Sequence, residues 1–123
     1  MRPDIKYLGI PNICFSLTDK DDPREEKFIQ QRLKRGFDDS ETWSLRDTIV
    51  NFTLQRLELF KKLTIGFPAS LNSMEEWHQI LDKIIFSFKL VQLDDEEDGI
   101  RNRYNEYEEG MQLFSKWFLH LCW

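Results

Sequence analysis

The sequence predicts an all-α fold: a compact bundle of about four helices with an extended N-terminal arm. Three observations predict it. Apolar residues recur at helical spacing over long stretches. Helix-starting residues, an Asp-Pro pair and two Ser-x-x-acid boxes, stand ahead of three of those stretches. Glycine and proline punctuate the gaps. With 123 residues the chain fits one domain, read as an arm over 1–21 and a helical bundle over 22–122. At that length folding buries roughly two-thirds of the unfolded surface, so neither a disulfide nor a metal staple is required. Ten Phe and four Trp predict a core rich in rings.

Each element has its own justification. Residues 5–18 are apolar but broken by Gly9 and Pro11, which gives an extended arm with at most a short edge strand. The first helix starts at Asp22-Pro23 and runs to about Arg35. Gly36 is its left-handed stop, Glu25 and Glu26 sit in the first turn, and Phe28, Ile29 and Leu33 form a narrow apolar face. Arg32, Lys34 and Arg35 complement the dipole at its far end. Ser44 and Asp47 open a long helix over Leu45–Leu63. Its apolar residues cover more than one face, which predicts a central helix packed on several sides. Ser73 and Glu76 open a third helix, from Met74 to about Leu93, with a stripe of Trp77, Ile80, Leu81, Ile84, Phe88 and Val91. The acidic run Asp94-Asp95-Glu96-Glu97-Asp98 is an exposed loop. The last helix spans about Ile100–Leu121, with a seam of Ile100, Tyr104, Tyr107, Met111, Phe114, Phe118 and Leu121. Gly110 costs that helix about 1 kcal/mol relative to Ala, so a close helix contact is expected there.

Composition excludes several function classes. Net charge is −5, against the basic face that an extended nucleic-acid footprint needs. No stretch approaches the ~20 apolar residues of a membrane span, and Met1-Arg2-Pro3-Asp4 is no signal peptide. A cytoplasmic protein is expected. Cys14 and Cys122 read as reduced thiols, and with His78 and His120 they do not amount to a zinc set. Phosphate-loop, dinucleotide, zincin and nucleophile-elbow motifs are missing. No catalytic residue, metal or cofactor is therefore expected.

Two constellations still invite a functional reading. Asp38, Asp39, Glu75, Glu76 and Asp82 could hold Mg²⁺ for nucleotide hydrolysis, but Glu75-Glu76 is followed by Gln79 where a Glu would complete that motif. Around the Gly36–Trp43 turn, the expected binding residues are Arg32, Arg35, Phe37, Asp38, Asp39, Glu41, Trp43 and Arg46. Trp43 would stack on a base while Arg32, Arg35 and Arg46 hold phosphates. The structural alternative makes Phe37 and Trp43 a hydrophobic staple that fixes the second helix.

The stretch Arg35-Gly36-Phe37-Asp38-Asp39-Ser40-Glu41-Thr42-Trp43-Ser44-Leu45 resembles a family of short bacteriophage proteins. So do Phe60-Lys61-Lys62-Leu63, Gly66-Phe67-Pro68 and Glu75-Glu76-Trp77-His78-Gln79-Ile80-Leu81-Asp82-Lys83-Ile84-Ile85. The resemblance covers about residues 28–118. It departs at Arg46, where an acid is usual, and at Gln55, where Pro is usual. It implies a phage accessory protein of the host bacterial cytoplasm and no particular activity. Taken with the acidic surface and the missing catalytic set, the expectation is a protein that acts by binding, an inhibitor of a host or antiviral defence component in the manner of anti-CRISPR proteins. The alternatives are a sponge for a nucleotide-like signalling molecule and, last, the metal-dependent hydrolase. The ring-rich C-terminal helix is a candidate homodimer contact.

Overall fold

A computed structural model of the chain describes residues 3–9, 14–93 and 99–123. These residues are 68% helical and include no strand. The fold is all-α, as the sequence predicts. The elements are α1 (Glu25–Arg35), α2 (Leu45–Leu63), α3 (Met74–Gln92) and α4 (Tyr104–Trp117), with short 3-10 turns before α1, between α1 and α2, between α3 and α4, and after α4. The chain divides into two compact units, Met1–Phe52 and Thr53–Trp123, and α2 runs from the first into the second. Arm residues 10–13, with Pro11, and the acidic run 94–98 lie outside the described residues.

In the first unit, Ile5–Tyr7 forms a 3-10 turn whose Lys6 N–H donates to the Asp4 carboxylate at 3.3 Å. The described arm residues 14–18 include no strand. α1 begins after the Asp22-Pro23 start that the sequence suggests. Asp22 instead closes a turn ahead of the helix: its carboxylate accepts from the Arg24 N–H at 2.8 Å and its carbonyl from the Glu25 N–H at 2.9 Å. Gly36 ends α1 at φ 88°, where only glycine sits without strain. The core residue of α1 is Phe28; Ile29 and Leu33 are only partly buried, and the charged Glu25 and Arg32 are buried with it. A 3-10 turn over Asp39–Thr42 leads to α2, where Ser44 Oγ donates to Asp47 Oδ2 at 2.6 Å.

α2 has the expected bounds but not the expected packing. Val50, Leu54 and Leu57 are buried, whereas Leu45, Ile49, Phe52, Leu59 and Leu63 each stay about half exposed. The two sets fall on opposite sides of a 3.6-residue helix. Periodicity had marked both sides as apolar, and one of them meets solvent.

The second unit is built on α3 and α4. Ser73 caps α3 by accepting from the Glu76 N–H at 3.1 Å, and the Glu76 carboxylate accepts from the Asn72 N–H at 3.0 Å. Trp77, Leu81, Ile84, Phe88 and Val91 are buried along the predicted stripe, joined by Ile85 and Leu90. Trp77, Leu81 and Trp117 form a cluster with Phe60, Leu71, Met74, Ile80, Leu113 and Leu121 packed on it. Phe88 meets Phe114 edge-on at 5.1 Å.

The last helix is shorter than its periodicity suggested. 3-10 turns at Ile100–Asn102 and Phe118–His120 flank α4. Its seam is also rotated: Tyr104 and Phe118 are more than half exposed, and the buried positions are Gly110 and Trp117. Gly110 is the cause. A Cβ there would lie 2.3 Å from Ser87 Cβ and 2.5 Å from the Lys83 carbonyl oxygen. The missing side chain lets α4 press against α3, and Ser87 Oγ donates to the Tyr107 carbonyl at 2.7 Å across the contact. This is the close approach expected from a mid-helix glycine.

Gly110→Ala should therefore destabilise the protein by about 1–3 kcal/mol, as an overpacked core contact does, although alanine raises helix propensity by about 1 kcal/mol. Urea unfolding of the two proteins measures the difference; a more stable variant would show that the two helices do not need this proximity.

Candidate functional site

The Gly36–Trp43 turn, singled out by its sequence, is built from its own side chains. Asp38 is the extended residue ahead of the 3-10 turn. Its carboxylate accepts from the Ser40 N–H at 2.8 Å and from the Ser40 hydroxyl, while the Glu41 carboxylate accepts from the Asp38 N–H at 2.7 Å. This reciprocal arrangement is a capping box on a four-residue turn. Asp38, Ser40 and Glu41 are all buried.

The same side chains bind the arm. Glu41 Oε1 accepts from the Phe15 N–H at 3.0 Å, and Ser40 Oγ accepts from the Leu17 N–H at 2.9 Å. The Cys14 thiol lies 3.9 Å from Glu41 Oε2. Side chains of the turn thus satisfy two backbone donors of the arm, at Phe15 and Leu17.

Arg32 ties these pieces together. Its side chain is 0% exposed. Nε donates to Asp4 Oδ1 at 2.9 Å and Nη2 to Asp4 Oδ2 at 2.7 Å, a two-pronged pair. Nη1 also donates to Asp38 Oδ2 and to Ser16 Oγ, the latter at 3.3 Å, and Nη2 also donates to Glu25 Oε1. One guanidinium thus joins the arm at two places, the first turn of α1 and the turn after α1. Glu25 Oε2 accepts no hydrogen bond and faces the Lys6 ammonium at 3.6 Å.

Proton equilibria follow from this packing. Burial by itself pushes the Glu25 carboxyl up, but hydrogen bonds from Arg32 and Tyr7 and the Lys6 charge outweigh it, so the value falls below the usual range. Asp38 is likewise opposed by burial and then held low by hydrogen bonds from Ser16, Ser40 and Arg32. Burial works against the Arg32 charge, and bonds to Asp4, Glu25 and Asp38 more than reverse this, so Arg32 remains a cation. Burial raises the Cys14 thiol, with Glu41 adding to it, so Cys14 is a poor nucleophile.

The expected binding residues fall into two groups. Arg32, Asp38 and Glu41 are interior. Arg32 is a corrected expectation: enclosed by three carboxylates, it presents no surface to a phosphate. Arg35, Phe37, Asp39, Trp43 and Arg46 lie at the surface but are engaged with neighbours. The Arg35 guanidinium covers the Phe37 ring at 4.4 Å and binds Asp39 at 2.8 Å. Asp39 is held low by hydrogen bonds from Gln31 and Arg35 and by Lys27. Arg24 covers the Trp43 ring at 4.7 Å, while Phe28 meets it edge-on at 6.1 Å. Arg46 lies 3.5 Å from Asp47. The contacts of the Trp43 ring are with Phe28 of α1 and Arg24, not those of a staple on α2; Phe37 stays exposed and packs with Arg35.

Asp4, Ser16, Glu25 and Ser40 complete the cluster and were not anticipated. The Asp38-x-x-Glu41 spacing was a legible capping signal. Asp4 carries no local signal, being 28 residues from Arg32. Of the carboxylates proposed for Mg²⁺, Asp82 is paired with Lys61 at 2.6 Å and Glu76 serves its own helix start. Among the described residues no three His, Cys, Asp or Glu side chains are grouped to hold a metal ion. Both cysteines are free thiols.

The second unit holds a cavity of about 360 Å³ lined by Ile65, Gly66, Phe67, Pro68, Trp77, His120, Cys122 and Trp123. Its rim is apolar and open to solvent: Ile65 is 82% exposed and Trp123 67%. Beside it, Phe118 and Leu119 share the 3-10 turn of His120, and Leu119 is 86% exposed. No helix among the described residues is long and apolar enough to cross a membrane. No protein-family model, curated protein or solved structure matches the chain.

Arg32→Met should leave three buried carboxylates without their cation and destabilise the protein by about 3–5 kcal/mol. Arg32→Lys should recover little of this, because an ammonium cannot supply the forked set of donors; chemical unfolding of both variants checks the pair. The folded-state values of Glu25 and Asp38 lie below their unfolded ones, so their contribution is complete above the unfolded range of about 4. It is lost as pH falls through the depressed values, where the unfolded chain has already taken up its protons. Thermal unfolding followed from pH 7 to pH 2.5 should show a fall below about pH 4 that is steeper than in Arg32→Met; parallel curves would remove the cluster from acid sensitivity.

Proposed function

We propose that this chain is a phage accessory protein that acts by binding, as an inhibitor of a host or antiviral defence component in the host cytoplasm. One observation carries the binding reading. Ile65, Phe67 and Trp123 border one cavity of the second unit, and Phe118 and Leu119 stand on the adjoining turn, all exposed. Leucine and isoleucine side chains at more than 80% exposure gain nothing from the fold that presents them. Apolar groups rimmed in this way suit a partner protein. The phage resemblance of the sequence supplies the biological setting as an analogy. The same surface suits a second copy of the chain, which is the homodimer expected from the C-terminal rings.

The nucleotide-sponge reading is less favoured. It requires Arg32, Arg35 and Arg46 around an open Trp43 ring, and Arg32 is enclosed while Arg24 covers that ring. The hydrolase reading lacks a gathered set of ligands among the described residues.

Infection of bacteria carrying individual defence systems, with and without this gene, should show increased phage yield in at least one. Leu119→Asp should abolish that increase while leaving the unfolding midpoint unchanged, because a side chain so exposed contributes little to the fold. Unchanged yield across a broad panel would remove the inhibitor reading. Full activity of Leu119→Asp would move the binding surface elsewhere.

A further inference from the structure

α2 is one uninterrupted helix of 19 residues, and it carries an apolar stripe that the fold leaves in water. Leu45, Ile49, Phe52, Leu59 and Leu63 are each between 46% and 53% exposed. Together with Arg56 they follow one another at intervals of four, three, four, three and four residues. At about 100° per residue this confines all six to a stripe roughly 80° wide and about 27 Å long. It lies opposite the buried Val50, Leu54 and Leu57. Alternating steps of three and four make the seam of a coiled coil, where each side chain enters a gap between four residues of a facing helix. Here each apolar member of the seam still keeps about half its surface in solvent.

We propose that this seam is a homodimer contact, with α2 of a second copy lying antiparallel along it across a two-fold axis. The interval pattern reads the same from either end. An identical helix running the other way therefore brings every seam residue opposite another one. Leu45 meets Leu63 of the second copy, Ile49 meets Leu59, and Phe52 meets Arg56. The charge at Arg56 selects the orientation. In a parallel pair the two Arg56 guanidinium groups would face each other across the seam, which opposes association. In the antiparallel pair each guanidinium lies against the Phe52 ring of the second copy, a favourable cation–ring contact. The area agrees. Five side chains at half exposure offer on the order of 400 Å² of apolar surface per copy. The apolar part of a standard interface is a little over half of roughly 800 Å² per partner. Self-complementary two-fold contacts of this kind are the commonest in closed oligomers. Ile65 and Leu119 take no part in the seam, so the binding reading above does not depend on it.

Light scattering on the whole protein, coupled to size exclusion, gives the mass directly. Interfaces of this size hold at micromolar concentration or tighter, so at about 100 μM the mass should be that of two chains. Ile49→Asp and Leu59→Asp should each weaken association by about 100-fold or more. Their circular dichroism should be unchanged, because both side chains are half exposed. Leu119→Asp should leave the mass as it is. Cross-linking then reads the orientation, in a background with Cys14→Ser and Cys122→Ser. Leu45→Cys protein mixed with Leu63→Cys protein should oxidise to a disulfide between the two variants, and neither should cross-link alone. A single-chain mass at about 100 μM, or a dimer that survives both aspartate variants, overturns the proposal. So does a dimer lost in Leu119→Asp alone, which would move the contact to the C-terminal rings. Leu45→Cys protein cross-linking to itself overturns the antiparallel register.

Discussion

A charge placed inside a protein must bring its counter-charges with it, and the first unit of this molecule is organised around that requirement. The Arg32 guanidinium has left water completely. Its desolvation would be prohibitive were it not met by carboxylates from the arm, from α1 and from the turn that follows. Those carboxylates in turn need their remaining oxygens satisfied, which recruits the Ser40 hydroxyl and N–H, while Ser16 accepts from the guanidinium itself. Glu41 belongs to the same chain of obligations through the Asp38 N–H. The shape of the Gly36–Trp43 turn follows from this: it must deliver a carboxylate inward while bracing the arm.

The second unit solves the same problem of cohesion by other means. Its interior is made of rings and branched aliphatics, and its tightest point is a helix crossing where Gly110 has given up its side chain. Apolar packing of this kind is forgiving of exact partner identity but sensitive to volume. The ion cluster has the opposite character: a carboxylate can be moved only with its partner. Within the second unit the exception to good packing is informative. Trp117 is well buried as a ring and poorly served as a donor.

Much of the fold was legible. Repeating apolar positions located α2 and α3, Gly36 marked the end of α1, and Gly110 announced a close contact. What escaped was of two kinds. Periodicity reports which residues are apolar, not which face is covered, so the two-sided α2 looked like a central helix when one side of it meets solvent. It also gives a glycine no weight, which is why the α4 seam was placed one face away from Gly110 and Trp117. The other kind concerns charge. Arg32 at the end of a helix has a satisfactory local explanation in the dipole. Its true partner Asp4 lies 28 residues earlier, and no pattern in either neighbourhood announces the pairing. Of the residues singled out around Trp43, Arg32, Asp38 and Glu41 are buried, and the long-range pairing of Arg32 with Asp4 is part of what encloses them.

The arginine cluster also bears on how this protein can diverge. Asp4, Glu25, Arg32 and Asp38 form a set in which any single replacement strands a charge, so the four positions can change only in concert. Selection on folding alone will hold them fixed over long descent. Within the Gly36–Trp43 turn that restraint falls on Asp38, through its pairing with Arg32. The exposed Ile65, Leu119 and Trp123 of the second unit are free of that restraint and can each change singly.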